Sequence, residues 1–167
     1  MVLSKAELIG LLQNETRILL HLASKVDRAK LDYRPTAKQR STLELLRYLA
    51  MMAPALVDAV SKGAFDPPAW TADEKAVHAL DFDQTMAKIA AQAAAFPAQL
   101  AGVSDAAMRE PISLFGEPAE SRGVQYVSLV LASCAAYRTQ LFLYLKACGR
   151  EELNTYNLWS GIDPPDQ

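Results

Sequence analysis

Few side chains in this sequence are equipped for chemistry. The 167 residues include two histidines, His21 and His78, and two cysteines, Cys134 and Cys148. Imidazole and thiolate are the groups that most readily bind transition metals or act as base and nucleophile. The stretch His78-Ala79-Leu80-Asp81-Phe82-Asp83 has donor-type residues, but its spacing matches no metal motif. His78 therefore reads as a solvent-facing loop residue and His21 as a helix-edge residue. The cysteines lie in one helical pattern, separated by roughly 21 Å of helix rise, beyond the reach of a disulfide. With no C-x-x-C pair they make neither a disulfide framework nor a zinc site, and both read as reduced and mostly buried. No glycine-rich phosphate loop, G-x-S-x-G elbow or H-E-x-x-H is present. Glu15 is a further candidate because it falls inside an apolar stripe, between Leu11/Leu12 and Leu19. An unpaired buried carboxylate is costly. Glu15 must lean out to the edge of its helix or line an internal polar pocket.

The elements that would position these groups are helical. Ser4 and Glu7 form a capping box that opens a first helix over about Ser4 to Val26, with Leu8, Leu11, Leu12, Ile18, Leu19, Leu22 and Val26 on its buried face. A polar connector, Asp27 to Arg40, carries Tyr33-Arg34-Pro35. A second box, Ser41 with Glu44, starts a helix that Pro54 should kink and Gly63 should end. Phe65-Asp66-Pro67-Pro68-Ala69-Trp70 reads as a rigid loop, and Thr71 with Glu74 as a third box opening a short helical turn toward His78. A third main helix is predicted over about Asp83 to Leu100, and Gly102 to Glu120 is irregular. The last long helix runs from about Gly123 to Cys148, with Gly149 as its cap. No run alternates clearly enough to be a strand. The tail from Leu153 to Gln167 carries Tyr156, Leu158 and Trp159 and is expected to pack back on the body, while Trp70 and Trp159 read as covers for the ends of the bundle. Four long helices with long connectors predict an all-α four-helix bundle, one domain spanning residues 1–167.

The segment Ser133-Cys134-Ala135-Ala136-Tyr137-Arg138-Thr139-Gln140-Leu141, followed by Tyr144-Leu145 and Gly149, resembles the last-helix signature of the DinB/YfiT-like metalloenzyme family. In that pattern a His-x-x-x-His pair runs into Arg-x-Gln-Leu. Arg138, Gln140, Leu141, Tyr144, Leu145 and Gly149 fit the scaffold part. The resemblance also takes in the long first helix, the Arg-Pro loop and a second helix that has a histidine in the family. It implies an up-down-down-up bundle, a homodimer, and a divalent metal held by three histidines, with hydrolase or thiol S-transferase/isomerase activity. The matching ligand positions in this sequence are Tyr48, Ser133 and Tyr137, none of them histidine. A phenol with a pKa of about 10 is mostly protonated at neutral pH and a serine hydroxyl is a poorer donor still. The resemblance therefore implies a fold without the family metal, and no metal or other cofactor is expected.

If the family geometry holds, the hydroxyls of Tyr48 and Tyr137 meet where the metal would be. Buried tyrosines need hydrogen-bond partners, and Ser133, Glu15 or Glu44 are available. Two readings stay open for this point: a tyrosine-filled core replacing a lost site, or a small-molecule pocket with converging hydroxyls. Arg138 reads as a scaffold residue paired with an acidic group across the bundle or dimer. The net charge of −2 gives no reason to expect nucleic acid or an anionic membrane. The start of the chain lacks signal-peptide character, and every apolar stretch is interrupted before the roughly 20 residues that span a bilayer. A cytoplasmic protein is expected. The functional expectation is a metal-free small-molecule or partner binding protein; the alternatives are a metal-dependent hydrolase or thiol S-transferase/isomerase, and a structural or regulatory dimer.

Overall fold

The computed structural model describes residues 3–165. Four long helices carry the core: α1 (Lys5–Ala23), α2 (Thr42–Lys62), α4 (Phe82–Gln99) and a last helix built from α5 (Arg122–Gln125), a π-helical stretch (Tyr126–Leu131) and α6 (Ala132–Ala147). The capping chemistry explains where three of them start. Ser4 Oγ accepts from the Glu7 amide at 3.2 Å while the Glu7 carboxylate accepts from the Ser4 amide at 2.8 Å. Ser41 and Glu44 repeat this at the start of α2, and Asp81 with Gln84 does so at the start of α4. Each cap satisfies amides that have no intrahelical partner, contributing about 1 kcal/mol.

Four local expectations need correction. The first helix stops at Ala23 rather than Val26. The segment Phe65 to Trp70 is not all loop: α3 (Pro67–His78) begins at Pro67, because Asp66 accepts from the Ala69 amide at 3.0 Å and prolines in the first turn lose no hydrogen bond. Thr71 does not cap; its hydroxyl donates to the Pro67 carbonyl at 3.0 Å. The irregular stretch after α4 holds a minimal antiparallel pair, β1 (Pro111–Ile112) with β2 (Glu120–Ser121), too short for alternation to be visible in sequence.

Hydrogen bonds between helices fix their directions. The amides of Gln92 and Gln99 in α4 donate to Leu49 O and Pro54 O in α2, so the two helices run parallel. Gln13 in α1 donates to Ala93 O, and the Lys5 amide to Asp105 beyond the end of α4, so α1 and α4 are antiparallel. Ser61 meets Tyr126, and Tyr144 donates to Arg40 O, making α2 and the last helix antiparallel. The order is up-down-down-up. Two parallel helices cannot be joined by a tight turn, and α3 is the return leg: the Arg47 guanidinium of α2 donates to Leu80 O just past the end of α3.

The core is aliphatic, with Leu8, Leu12, Leu22, Leu45, Leu46 and Ile89 at 0–1 % exposure; a fully buried side chain of this size contributes about 1.5–3 kcal/mol. Arg122, buried, donates from Nη1 to Val60 O and Ser61 O and so satisfies the last carbonyls of α2. Arg17 of α1 donates to Ser160 O and Gly161 O of the tail, and Lys25, just past the end of α1, pairs with Asp163 at 2.6 Å. Gly161 sits at φ +60, and a Cβ there would lie 2.9 Å from Ile18 Cα, so the approach requires glycine. Trp159, expected to cover the bundle, is instead 69 % exposed.

Candidate functional site

Tyr48 lies on α2 and Tyr137 on α6, and the antiparallel register of these helices brings their rings into edge contact, with centroids 4.8 Å apart at 63°. Ser133 lies one turn before Tyr137 on α6 and is half-buried. Trp70 of α3 also meets Tyr48 edge-on, with a centroid distance of 6.2 Å. The guanidinium of Arg40 stacks on the Tyr48 ring at 3.9 Å. Burial, and after it the neighbouring Tyr137 hydroxyl, pushes the Tyr48 phenol well above its ordinary value. Tyr48 keeps its proton at any physiological pH and works as a hydroxyl, not as a phenolate ligand.

The two glutamates proposed as partners have other commitments. Glu15 makes a bidentate pair with Arg138, whose Nε and Nη2 lie 3.0 and 3.2 Å from its two oxygens. Arg138 is 4 % exposed and also donates to the Leu158 carbonyl of the tail. The carboxylate inside the apolar stripe is thereby explained: it neutralises a buried guanidinium. Glu44 caps α2 through Ser41 and pairs with Arg34 at 3.2 Å, which together hold its carboxyl below the usual range. Of the five candidate residues, then, Tyr48 and Tyr137 meet across α2 and α6, Ser133 lies one helical turn from Tyr137, Glu44 stands at the head of α2, and Glu15 belongs to the α1–α6 ion pair.

The donor set does not suit the metal that a DinB/YfiT-like site would hold. Two phenols, one of them held protonated, and a serine hydroxyl are poorer donors for a divalent metal than neutral imidazoles. Among the described residues no three His, Cys, Asp or Glu side chains are grouped so as to bind a metal ion. His78 is exposed at the end of α3, and His21 is tied to the tail through Asn157 at 3.1 Å. Cys134 is buried, and desolvation pushes its thiol up to about 12, which removes it as a nucleophile.

Tyr48 does border an open space. A pocket of about 400 Å³ lies between the connector before α2, the start of α2 and the end of α3. Arg34, Lys38, Arg40 and Arg47 line it against Glu44 and Glu74, so its charge is positive on a chain that is negative overall. Arg47 is committed to Leu80 O and Arg34 to Glu44 and Gln39 O. Lys38 and Arg40 are exposed beside the pocket. This cluster was missed in the sequence because its members straddle a connector, the head of α2 and the end of α3; only the folded crossover assembles them.

No family model and no curated protein matches the sequence. Among solved structures, the chain is similar to a DinB-like protein, YjoA, from Bacillus subtilis, with a TM-score of 0.66 over 90% of this chain and 97% of that chain, at 14% identity. The fold is therefore DinB-like and all-α, as the last-helix residues implied. At that identity the likeness extends to the fold alone. Among the described residues no helix is long and apolar enough to cross a membrane.

Proposed function

We propose that this DinB-like bundle is a metal-independent binding domain that takes a small molecule bearing an anionic group in the pocket beside Tyr48. The observation that carries this reading is the pocket's composition: four cationic side chains, two carboxylates and a protonated phenol around about 400 Å³. That volume is within the range of ordinary small-molecule sites. Arg40, stacked on Tyr48, is preorganised by the ring beneath it, so little side-chain freedom is lost when it meets a carboxylate or phosphate. The Tyr48 hydroxyl supplies a neutral donor beside the cations. The alternative, metal-dependent hydrolysis or thiol transfer, needs imidazole or thiolate donors that Tyr48, Ser133 and Tyr137 do not offer.

The test is an NMR titration of the ¹⁵N-labelled protein with benzoate and with inorganic phosphate at low salt. Saturable shifts are expected at the amides around Arg40, Tyr48 and His78. Lys38→Ala combined with Arg40→Ala should weaken binding by roughly tenfold or more, the loss of one or two charge-assisted hydrogen bonds. Unsaturable shifts spread over the surface, or an unchanged affinity in the double variant, would remove the basis for the proposal.

A further inference from the structure

A second pocket, of about 360 Å³, opens between α2, α3 and α4 and shares only Met51 with the first. Seven alanines line it, which is why three helices that pack closely still leave room. Phe65 and Trp70, with ring centroids 5.6 Å apart, form one end. Its polar lining is acceptor-rich and poor in positive charge: Asp58, Asp66 and Asp73 face a single cation, Lys88.

Two further acceptors at the wall are short of donors. The carbonyl of Ala50 would accept from the amide of residue 54 in an unbroken α-helix, but that residue is Pro54, which has no N–H. Gln99 donates its amide to Pro54 O, and its own Oε1 is buried with no partner. Asp66 is committed in part to the α3 cap and Asp58 to Lys62. Asp73 pairs with no basic side chain among the described residues. Buried carbonyls without donors are uncommon in native proteins. The unpartnered Gln99 oxygen and a backbone carbonyl deprived of its helical donor, beside three carboxylates and two aromatic rings, make a lining short of hydrogen-bond donors and of positive charge.

We infer that this α2–α3–α4 pocket binds an organic cation: a primary ammonium carried on a compact apolar body. The apolar part fits against the alanines, the ammonium has three hydrogens for the waiting acceptors, and the faces of Phe65 and Trp70 attract the charge further. The site stands apart from the Tyr48 pocket, has the opposite charge preference, and does not depend on the anion-binding reading.

The experiment uses cyclohexylmethylammonium, cyclohexylmethanol and cyclohexanecarboxylate, which share one body and differ in head group. In a Trp159→Phe background Trp70 is the only tryptophan, and its fluorescence reports the pocket directly. The ammonium should give a saturable change at low ionic strength, with amide shifts at Ala91 and Ala95, whereas the carboxylate should give none. Asp58→Asn with Asp73→Asn should weaken the ammonium by roughly tenfold, since exposed carboxylates act through screened charge. Ala95→Leu, which fills the groove without touching a charge, should abolish binding while circular dichroism remains unchanged. Equal binding of alcohol and ammonium would overturn the inference. So would an ammonium response that survives both the double Asp variant and Ala95→Leu, or no saturable response at all.

Discussion

Glu15→Gln is expected to be among the most costly polar substitutions in the protein. The Arg138 side chain is 4 % exposed, and among the described residues the one carboxylate paired with it is Glu15, itself 19 % exposed. Removing one partner of a buried pair leaves an uncompensated charge and typically costs about 3–5 kcal/mol. Glutamine keeps one acceptor oxygen, and the partial exposure of residue 15 admits water, so the expected loss is about 2 kcal/mol. With a urea m-value of about 2 kcal/mol/M, the midpoint should fall by about 1 M with m unchanged. The double variant Glu15→Leu/Arg138→Met removes both charges and should recover much of that loss, giving a clear non-additive cycle. It should also loosen the tail, because Arg138 donates to Leu158 O and lies 6.0 Å from the Trp159 ring. Trp159 emission would then change before the main unfolding transition. A Glu15→Gln midpoint within experimental error of wild type would refute the assignment of Glu15 as the neutraliser of a buried charge.

Tyr126 is fully buried, with its hydroxyl 2.6 Å from Ser61 Oγ; Tyr126→Phe should cost about 1–2 kcal/mol in urea unfolding, and Tyr137→Phe, at a half-buried ring in contact with Tyr48, clearly less. Native protein treated with an aromatic disulfide reagent at pH 8 should react at Cys148 alone, and Cys148→Ser should be inert until denatured; labelling of Cys134 in the folded state would contradict its burial. His21 is held below its ordinary value, first by burial and then by Lys25, with Asp163 opposing. On acidification the unfolded chain takes up that proton first. The contribution is complete above about pH 6.5 and declines as the pH falls toward the lower folded value. Stability should therefore drop from pH 7 to 5.5, and less so in His21→Gln; identical slopes in the two proteins would remove His21 as a source.

The bundle was legible because periodicity and caps are local. Leu8, Leu12, Leu45 and Leu46 announce their burial through spacing, and Ser4, Ser41 and Asp81 mark where helices begin. The start of α3 was misread since Pro67-Pro68 looks like loop chemistry; proline in the first helical turn is silent without the Asp66 cap beside it. The tyrosine pair was reachable only through the last-helix residues and their resemblance to a known pattern. The Glu15–Arg138 pair was half visible: each side chain was conspicuous alone, but choosing partners 123 residues apart required the parallel register of α1 and α6. Both pockets were invisible, because α3 creates them, and no sequence pattern states where a crossover helix will rest.

We propose above that this DinB-like bundle, with Tyr48, Ser133 and Tyr137 in place of better donors, works without a bound metal. The most direct measurement is metal loading of protein purified without a histidine tag. The protein is incubated with equimolar zinc or nickel, passed through gel filtration, and its metal quantified by mass spectrometry. The account predicts a folded protein carrying far less than one metal per chain. A stoichiometric metal that is lost on Tyr48→Phe/Ser133→Ala/Tyr137→Phe would contradict it.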